Sequence, residues 1–442
     1  MQKKERSWPP PGNAAKQFRS RIRQDLDTYG GPLNSGEISY DQNARYVLMQ
    51  NPPQRCPLRR ARRRIKPSHS MGLLRSTVAI RYNHLVLAVL IGYTANMAAL
   101  PSNASPPIKS DERVVLFPTD ARLSADASHW QLPIHGWIFE PEDNSILRKL
   151  LVSRLRKHLQ LKPEDKTSEI FQERMRLFLV DNERGKRITV RIGEHEQQLP
   201  PSTPDGHFNG SLELPVDTVK ELAQDGRVPV RVITRPDDPR EFTGTIHLVP
   251  QRGLSVISDI DDTIKITEVS DKRKILENTF LKPFRPVDGM ADLYGKWAAQ
   301  GALFHFVSGS PWQLYEPLAQ FTAAADIPPA TFHLRRIRLK DASVLQLLAD
   351  PYQSKLTAVD RLFKTYPGRH FILVGDSGEK DPEVYGEVAR RYPNQVLQIL
   401  VRNVNDGRRS DDRFQRAMTD VPDALWQLFH QPGEIKAFEL KK

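Results

Sequence analysis

Two aspartates one residue apart, set at the end of a short apolar run, constrain this chain more than any other feature. Leu254–Ile257 reads as a buried strand and runs straight into SDIDDT. Asp259 and Asp261 then stand at its carboxyl end, and Thr263 completes an Asp-x-Asp-x-Thr arrangement. Carboxylates crowded in this way repel one another unless a cation lies between them. Mg2+ is the natural occupant, as a hard ion that takes oxygen ligands. Open parallel sheets bind their ligands at the carboxyl ends of strands, so the chain after Pro250 is expected to be α/β.

Three further strings carry polar groups to the same edge. Ala302–Val307 reads as a strand that ends in Ser308, Gly309 and Ser310. A hydroxyl and turn N–H groups there can hold phosphate oxygens. Lys355 opens the helix KLTAVDRLFKTYP, whose Leu356, Val359, Leu362 and Phe363 should pack on the sheet. A lysine so placed can neutralise phosphoryl charge. Phe371–Val374 ends in GDSGEKDPEVY and delivers Asp376, Glu379 and Asp381. Singly, each string is ordinary: an acidic pair after a strand is often a turn or cap, and Ser-Gly-Ser is a common loop. Their order points to one site for phosphomonoester hydrolysis.

The rest of the chain reads differently. At 442 residues it suits two domains plus extensions. Its net charge of +12 is not spread evenly: residues 1–110 hold 18 basic and 5 acidic residues, leaving 47 and 48 for the remainder. A high pI therefore concerns the leader. The single cysteine, Cys56, excludes an intramolecular disulfide and a cysteine zinc cluster, and leaves the redox compartment open.

Residues 1–70 are expected to be a disordered basic leader or translated upstream sequence. The run Arg59, Arg60, Arg62, Arg63, Arg64 and Lys66 can alternatively contact nucleic acid or anionic lipid. Residues 71–105 have the shape of a signal peptide starting at Met71, with Arg75 and Arg81 before an apolar Leu85–Gly92 core and small residues after it. The run is short for a membrane span, so a short anchor and a buried helix follow as alternatives. The expected location is exported, periplasmic or membrane-associated, with cytoplasmic as the alternative.

Residues 106–250 alternate short β-like runs with turns. Strands are expected at Val114–Phe117, Ile134–Phe139, Arg176–Val180, Ile188–Ile192, Ser211–Leu214, Val228–Ile233 and Phe242–Leu248. Turns are expected at Asp181-Asn182, Asp205-Gly206 and RPDDPRE. This suggests a β-rich, sandwich-like domain. Residues 145–161 read as a basic amphipathic helix, which either covers a sheet or lies on a membrane. His135, Trp137 and His207 read as packing or turn residues.

Residues 253–405 resemble the catalytic domain of the actin-patch-associated phosphatidate phosphatase family, within the haloacid-dehalogenase-like superfamily and related to the lipin-type phosphatases. The strings that carry the resemblance are SDIDDTIK, FVSGSPW, PPATFHLRRIRLKD and FILVGDSGEKDPEVY, more loosely HGWIFEP and TPDGHFNGSLEL. It does not reach residues 1–100.

The resemblance implies a haloacid-dehalogenase-like, Rossmann-like parallel sheet over 251–442. It implies Asp259 as a nucleophile that forms an aspartyl-phosphate and Asp261 as general acid, then base. Mg2+ would be held by Asp259, the backbone carbonyl of Asp261 and Asp376. Asp381 would orient metal-bound water with help from Glu379. Ser308 and Lys355 match the phosphoryl-binding positions, with Thr263 and Gly309 supporting the loops. No essential position of the superfamily pattern is missing. Arg335 matches the family's string and, with Arg336, Arg338 and Lys340, can meet a lipid phosphate. The other reading of that segment is a solvated basic helix start or a salt-bridge network.

Only 44 residues separate Thr263 from Ser308, which leaves little room for a large cap and suits a headgroup presented at a surface. The leading expectation is phosphatidate hydrolysis to diacylglycerol and phosphate, with peripheral membrane contact. A phosphomonoesterase for small soluble substrates is the alternative. A third is a β-rich domain that docks a protein or membrane. Nucleic acid is not expected as a partner, because the catalytic portion shows no basic–aromatic stripe.

Overall fold

The computed structural model describes residues 108–141, 169–337 and 349–435. The basic leader, the export segment and the helix expected over 145–161 lie outside them. Among the described residues no helix is long and apolar enough to cross a membrane.

The first part is built around one long strand. β1 (Arg113–Phe117), β2 (Thr119–Leu123), β4 (Val180–Asn182) and β7 (His207–Pro215) all pair antiparallel with β3 (His129–Pro141). β2 then pairs in parallel with β9 (Thr243–Leu248), which continues through β8 (Arg227–Val232) and β5 (Thr189–Ile192) to β6 (His195–Gln198). The β-rich expectation holds: these strands form one mixed nine-stranded sheet whose two halves are joined through β2. Its two halves share a core in which Leu132, Ile134 and Phe208 meet Val190, Val228 and Ile246. Gly136 is needed there: a Cβ would lie 2.1 Å from the Phe208 ring.

Several local expectations change. Arg176–Val180 is not a strand. It is the end of helix α1 (Glu169–Arg176) and a following turn, and Val180 alone begins β4. Phe171 and Met175 share a helical face, and with Leu177–Leu179 they enter the core of the α/β part rather than a sheet face. Asp181-Asn182 is strand, not turn, because Asn182 Oδ1 accepts the Trp137 indole N–H at 2.8 Å. β2 and β6 escape a reading by apolar runs: β2 buries one side chain, Ala121, and β6 buries none. A short helix α2 (Val216–Leu222) precedes β8.

The second part is a six-stranded sheet, and every pair in it is parallel. In chain order it comprises β10 (Gly253–Ser258), α3 (Lys272–Phe280), α4 (Met290–Ala299), β11 (Leu303–Pro311), α5 (Tyr315–Ala324) and β12 (Ala330–Arg335). Then come α6 (Tyr352–Thr365), β13 (Arg369–Asp376), α7 (Asp381–Arg391), β14 (Val396–Arg402), α8 (Asp412–Ala417) and β15 (Trp426–Phe429). The spatial order is β12-β11-β10-β13-β14-β15.

Both faces of this sheet are covered, so its strands bury side chains on both sides. Val256, Ile372 and Val374 pack on the side of α3, α4 and α5, and Ile257, Leu373 and Val401 on the side of α6, α7 and α8. Each such side chain contributes roughly 1.5–3 kcal/mol on burial. The chain order reverses at β10, which lies between β11 and β13. The carboxyl end of β10 is therefore the topological switch point, where such sheets open a crevice for a ligand.

Candidate active site

The loop after β10 is folded back by Asp262. This residue has φ +52°, and its carboxylate accepts the backbone N–H groups of Thr267 (2.7 Å), Glu268 (2.8 Å) and Val269 (2.6 Å). Arg402 donates to the Asp262 carbonyl at 2.7 Å. The Thr263 hydroxyl, expected to fix this loop, is buried without a hydrogen-bond partner among the described residues; Asp262 holds the turn.

The turn aims Lys265 and Thr267 at Asp261. Lys265 Nζ lies 2.7 Å from Asp261 Oδ1, and the Thr267 hydroxyl donates to the same oxygen at 2.8 Å. Ser308 and Ser310 donate to Asp261 Oδ2 at 3.1 and 2.9 Å. Burial alone would raise the carboxyl pKa of Asp261, but the Lys265 ammonium and the Thr267 and Ser310 hydroxyls outweigh it and bring it to about 2. Sequence reasoning missed Lys265 and Thr267. Both follow the Asp-x-Asp-x-Thr string, but only the folded-back loop turns them toward Asp261.

Asp259 lies beside a second cation. Lys355 Nζ is 2.8 Å from Asp259 Oδ1, 2.7 Å from Asp381 Oδ1 and 2.8 Å from Glu379 Oε2. Lys355 does not open its helix: α6 begins at Tyr352, and Lys355 points inward from the end of the first turn, fully buried. Asp376, the last residue of β13, accepts N–H groups from Gly378 (2.5 Å) and Glu379 (3.0 Å) through Oδ1. Asp381 is occupied on both oxygens, by Lys355 and by the Asp376 N–H at 3.1 Å. Arg413 of α8, also missed, fixes the loop by donating to the Ser377 and Glu379 carbonyls.

Asp259, Asp376 and Glu379 each bring a carboxylate oxygen to within 4.8 Å of the others. Asp259 Oδ2 and Asp376 Oδ2 are buried and lack a hydrogen-bond partner among the described residues. Burial and the neighbouring carboxylates push Asp259 and Asp376 well above the usual carboxylate range, against the pull of Lys355. Orphaned, buried, all-oxygen donors of this kind suit a hard divalent cation. The geometry gathers Glu379 with Asp259 and Asp376, whereas Asp381 stands behind Lys355.

A cleft of about 230 Å³ opens at Asp261, with Ile275, Leu276, Phe280, Pro311 and Leu314 among its walls. Gly309 lies on its rim, where a Cβ would come 2.8 Å from Pro351. Arg335 ends β12 as part of a strand rather than a helix start and donates to the Ala349 carbonyl at 3.0 Å. Burial lowers its guanidinium pKa, and Glu379 opposes that shift. Arg338 and Lys340 lie outside the described residues.

Comparison with known proteins agrees with this geometry. An uncharacterized protein of Schizosaccharomyces pombe is 32% identical over 170 residues, covering 37% of this chain and 27% of its own length. Phosphatidate phosphatase APP1 of Saccharomyces cerevisiae is 33% identical over 202 residues, covering 45% of this chain and 32% of its own. The chain thus spans about a third of the length of these curated relatives. A Pnkp1/Rnl/Hen1 complex chain superposes over 36% of this chain and 54% of its own at 14% identity; its TM-score of 0.24 carries no argument. Residues 254–403 match the model described as the phosphatidate phosphatase APP1 catalytic domain, a domain of hydrolase, phosphatase type, and these residues belong to that catalytic-domain family.

Proposed function

We propose that this protein is a Mg2+-dependent phosphatidate phosphatase whose residues 251–442 form a haloacid-dehalogenase-like domain. The reading is carried by the meeting of Asp259, Asp261, Ser308, Lys355 and Asp376 at one switch point of a parallel sheet. Asp259 and Asp376, with the backbone carbonyl of Asp261, would hold Mg2+, and Glu379 is placed to join them. Bound there, the ion screens the charge between an anionic nucleophile and an anionic substrate.

An Asp259 carboxylate oxygen attacks phosphorus in line with the ester bond, which breaks to leave an aspartyl-phosphate. Asp261 gives its proton to the departing alcohol oxygen. It then takes a proton from the water that splits the aspartyl-phosphate, releasing inorganic phosphate and restoring Asp259. In the free site Asp261 is ionised, and an anionic phosphomonoester beside it favours the protonated form that the first step needs. Ser308 and Lys355 steady the phosphoryl oxygens. The apolar walls of α3 stand on the side of Asp261, where the leaving alcohol would lie, and favour a lipid alcohol over a sugar. Export from a start at Met71 would place the enzyme beside membrane lipid, and N-terminal sequencing of the mature chain tests that part.

The experiment is phosphate release by the full chain from phosphatidate in mixed micelles and from glycerol phosphate, with and without chelator. A strong preference for phosphatidate that chelation abolishes is expected. Equal rates on both substrates would discard the lipid assignment and keep a general phosphomonoesterase. Release that survives chelation would discard the metal.

A further inference from the structure

We propose that the seam between the β-rich domain and the parallel sheet holds a second metal site, for a transition ion of the Zn2+ kind, formed by Asp120, His305 and His333. The three residues come from β2, β11 and β12, and their ligating atoms all lie within 4.8 Å of one another. His305 Nδ1 is 3.1 Å from Asp120 Oδ1, and His333 Nε2 is 3.4 Å from Asp120 Oδ2. The Thr331 hydroxyl lies 2.9 Å from His305 Nδ1 and 3.2 Å from His333 Nε2, marking a fourth corner for itself or a water. A tetrahedral ion with bonds of about 2.0–2.1 Å sets its ligand atoms roughly 3.3 Å apart. The contacts of each histidine with Asp120 and with Thr331, at 2.9–3.4 Å, are close to that spacing.

The donor set differs in kind from the all-oxygen cluster at Asp259. Imidazole nitrogens suit Zn2+ and its neighbours and discriminate against Mg2+.

The outer partners fix what must move. His305 Nε2 meets the Ser255 hydroxyl at 3.1 Å, and that hydroxyl oxygen also accepts the Arg369 Nε–H at 2.9 Å. On metal binding, the His305 proton moves from Nδ1 to Nε2 and is donated to Ser255, so Nδ1 is freed without net proton loss. His333 Nδ1 accepts from the exposed Arg361 guanidinium at 3.0 Å, which leaves its proton on Nε2. Coordination through Nε2 shifts that proton to Nδ1, where it faces a group that can only donate. Arg361 must therefore swing away, and its side chain opposes the metal.

The test uses the full chain, stripped of metal and held in excess Mg2+ to occupy the carboxylate cluster. Zn2+ is added and bound metal is counted after desalting, and Co2+ is added in parallel to read its visible spectrum. The expected result is one Zn2+ per chain beyond any that Asp120→Ala or His333→Ala retains, an upward shift in melting temperature, and an intense tetrahedral Co2+ band. Arg361→Ala is expected to bind Zn2+ roughly tenfold more tightly. Equal zinc content in wild type and both variants would overturn the site, as would a folded wild-type protein that takes up no zinc. Should the variants fail to fold, a wild-type Co2+ spectrum without the tetrahedral band overturns it alone.

Discussion

Lys355 and Asp259 meet at 2.8 Å from opposite origins, one on the first turn of a helix and the other at the end of the central strand. That single ammonium is shared by three carboxylates, the buried Asp259 and Asp381 and the half-buried Glu379. Removing it leaves the charges uncompensated, which in buried pairs costs about 3–5 kcal/mol. Lys355→Met is expected to lose that much stability in urea denaturation without metal, and to recover more on adding Mg2+ than wild type does. A variant as stable as wild type, with no Mg2+ dependence, would contradict the charge account.

Lys265 and Thr267 together fix the orientation of Asp261 by holding the same carboxylate oxygen, and Lys265 also sets its charge state. Lys265→Met is expected to reduce kcat by roughly 10- to 100-fold, the usual effect of losing a group that orients a reacting one. Steady-state kinetics should show a smaller change in KM, because Lys265 faces Asp261 and lies away from the lining of the cleft. A change confined to KM would argue against this role.

The parts of the site that were legible in the sequence are those where strand ends fix side-chain placement. Asp259, Ser308 and Asp376 fall where a buried apolar run stops, and a parallel sheet brings such ends together. Lys355 was legible through the apolar spacing of its helix, although its turn was misplaced by three residues. Lys265, Thr267 and Asp262 were not legible in their roles, because a reversal at positive φ, stapled by side chain to backbone, has no periodic signature. β12, β14 and β15 were not legible as strands, because polar residues interrupt each of them: Thr331 and His333 in β12, Gln398 in β14 and Gln427 in β15. In the β-rich part, alternation found the strands with a buried face. It failed for β2 and β6, which bury almost nothing, and for Leu177–Leu179, whose apolar side chains belong to the neighbouring domain's core.

Burial holds His333 and His247 at about 4 in the folded protein. An unfolded histidine titrates near 6.5. Groups lowered in this way contribute stability that is full above the unfolded value and lost as pH falls toward the folded one. Unfolding free energy is therefore expected to drop between about pH 6.5 and 4, by up to roughly 1.4 kcal/mol per pH unit for each histidine. Urea melts across that range check it, and His333→Gln should flatten the slope. A profile level to pH 4 would contradict the buried neutral imidazoles.

The wall of α3 bears on substrate choice. Ile275 is half-buried at the cleft, next to the fully buried Leu276. Ile275→Asp is expected to weaken turnover of phosphatidate in mixed micelles several-fold, by removing apolar contact worth about 1.5–3 kcal/mol at full burial. Hydrolysis of glycerol phosphate should be unchanged. Equal losses on both substrates would mean that α3 supports the site without contacting the lipid.

The central claim is that Asp259 carries the phosphoryl group. The direct measurement is to quench the full-length protein during turnover of phosphatidate with Mg2+, reduce it with borohydride and map its peptides by mass spectrometry. An aspartyl-phosphate is converted to homoserine, so the account predicts homoserine at position 259, absent without substrate or metal. Asp259→Asn should lower phosphate release on the order of a thousandfold or more. Release that continues undiminished in Asp259→Asn, with Asp259 unmodified in the wild type, would contradict it.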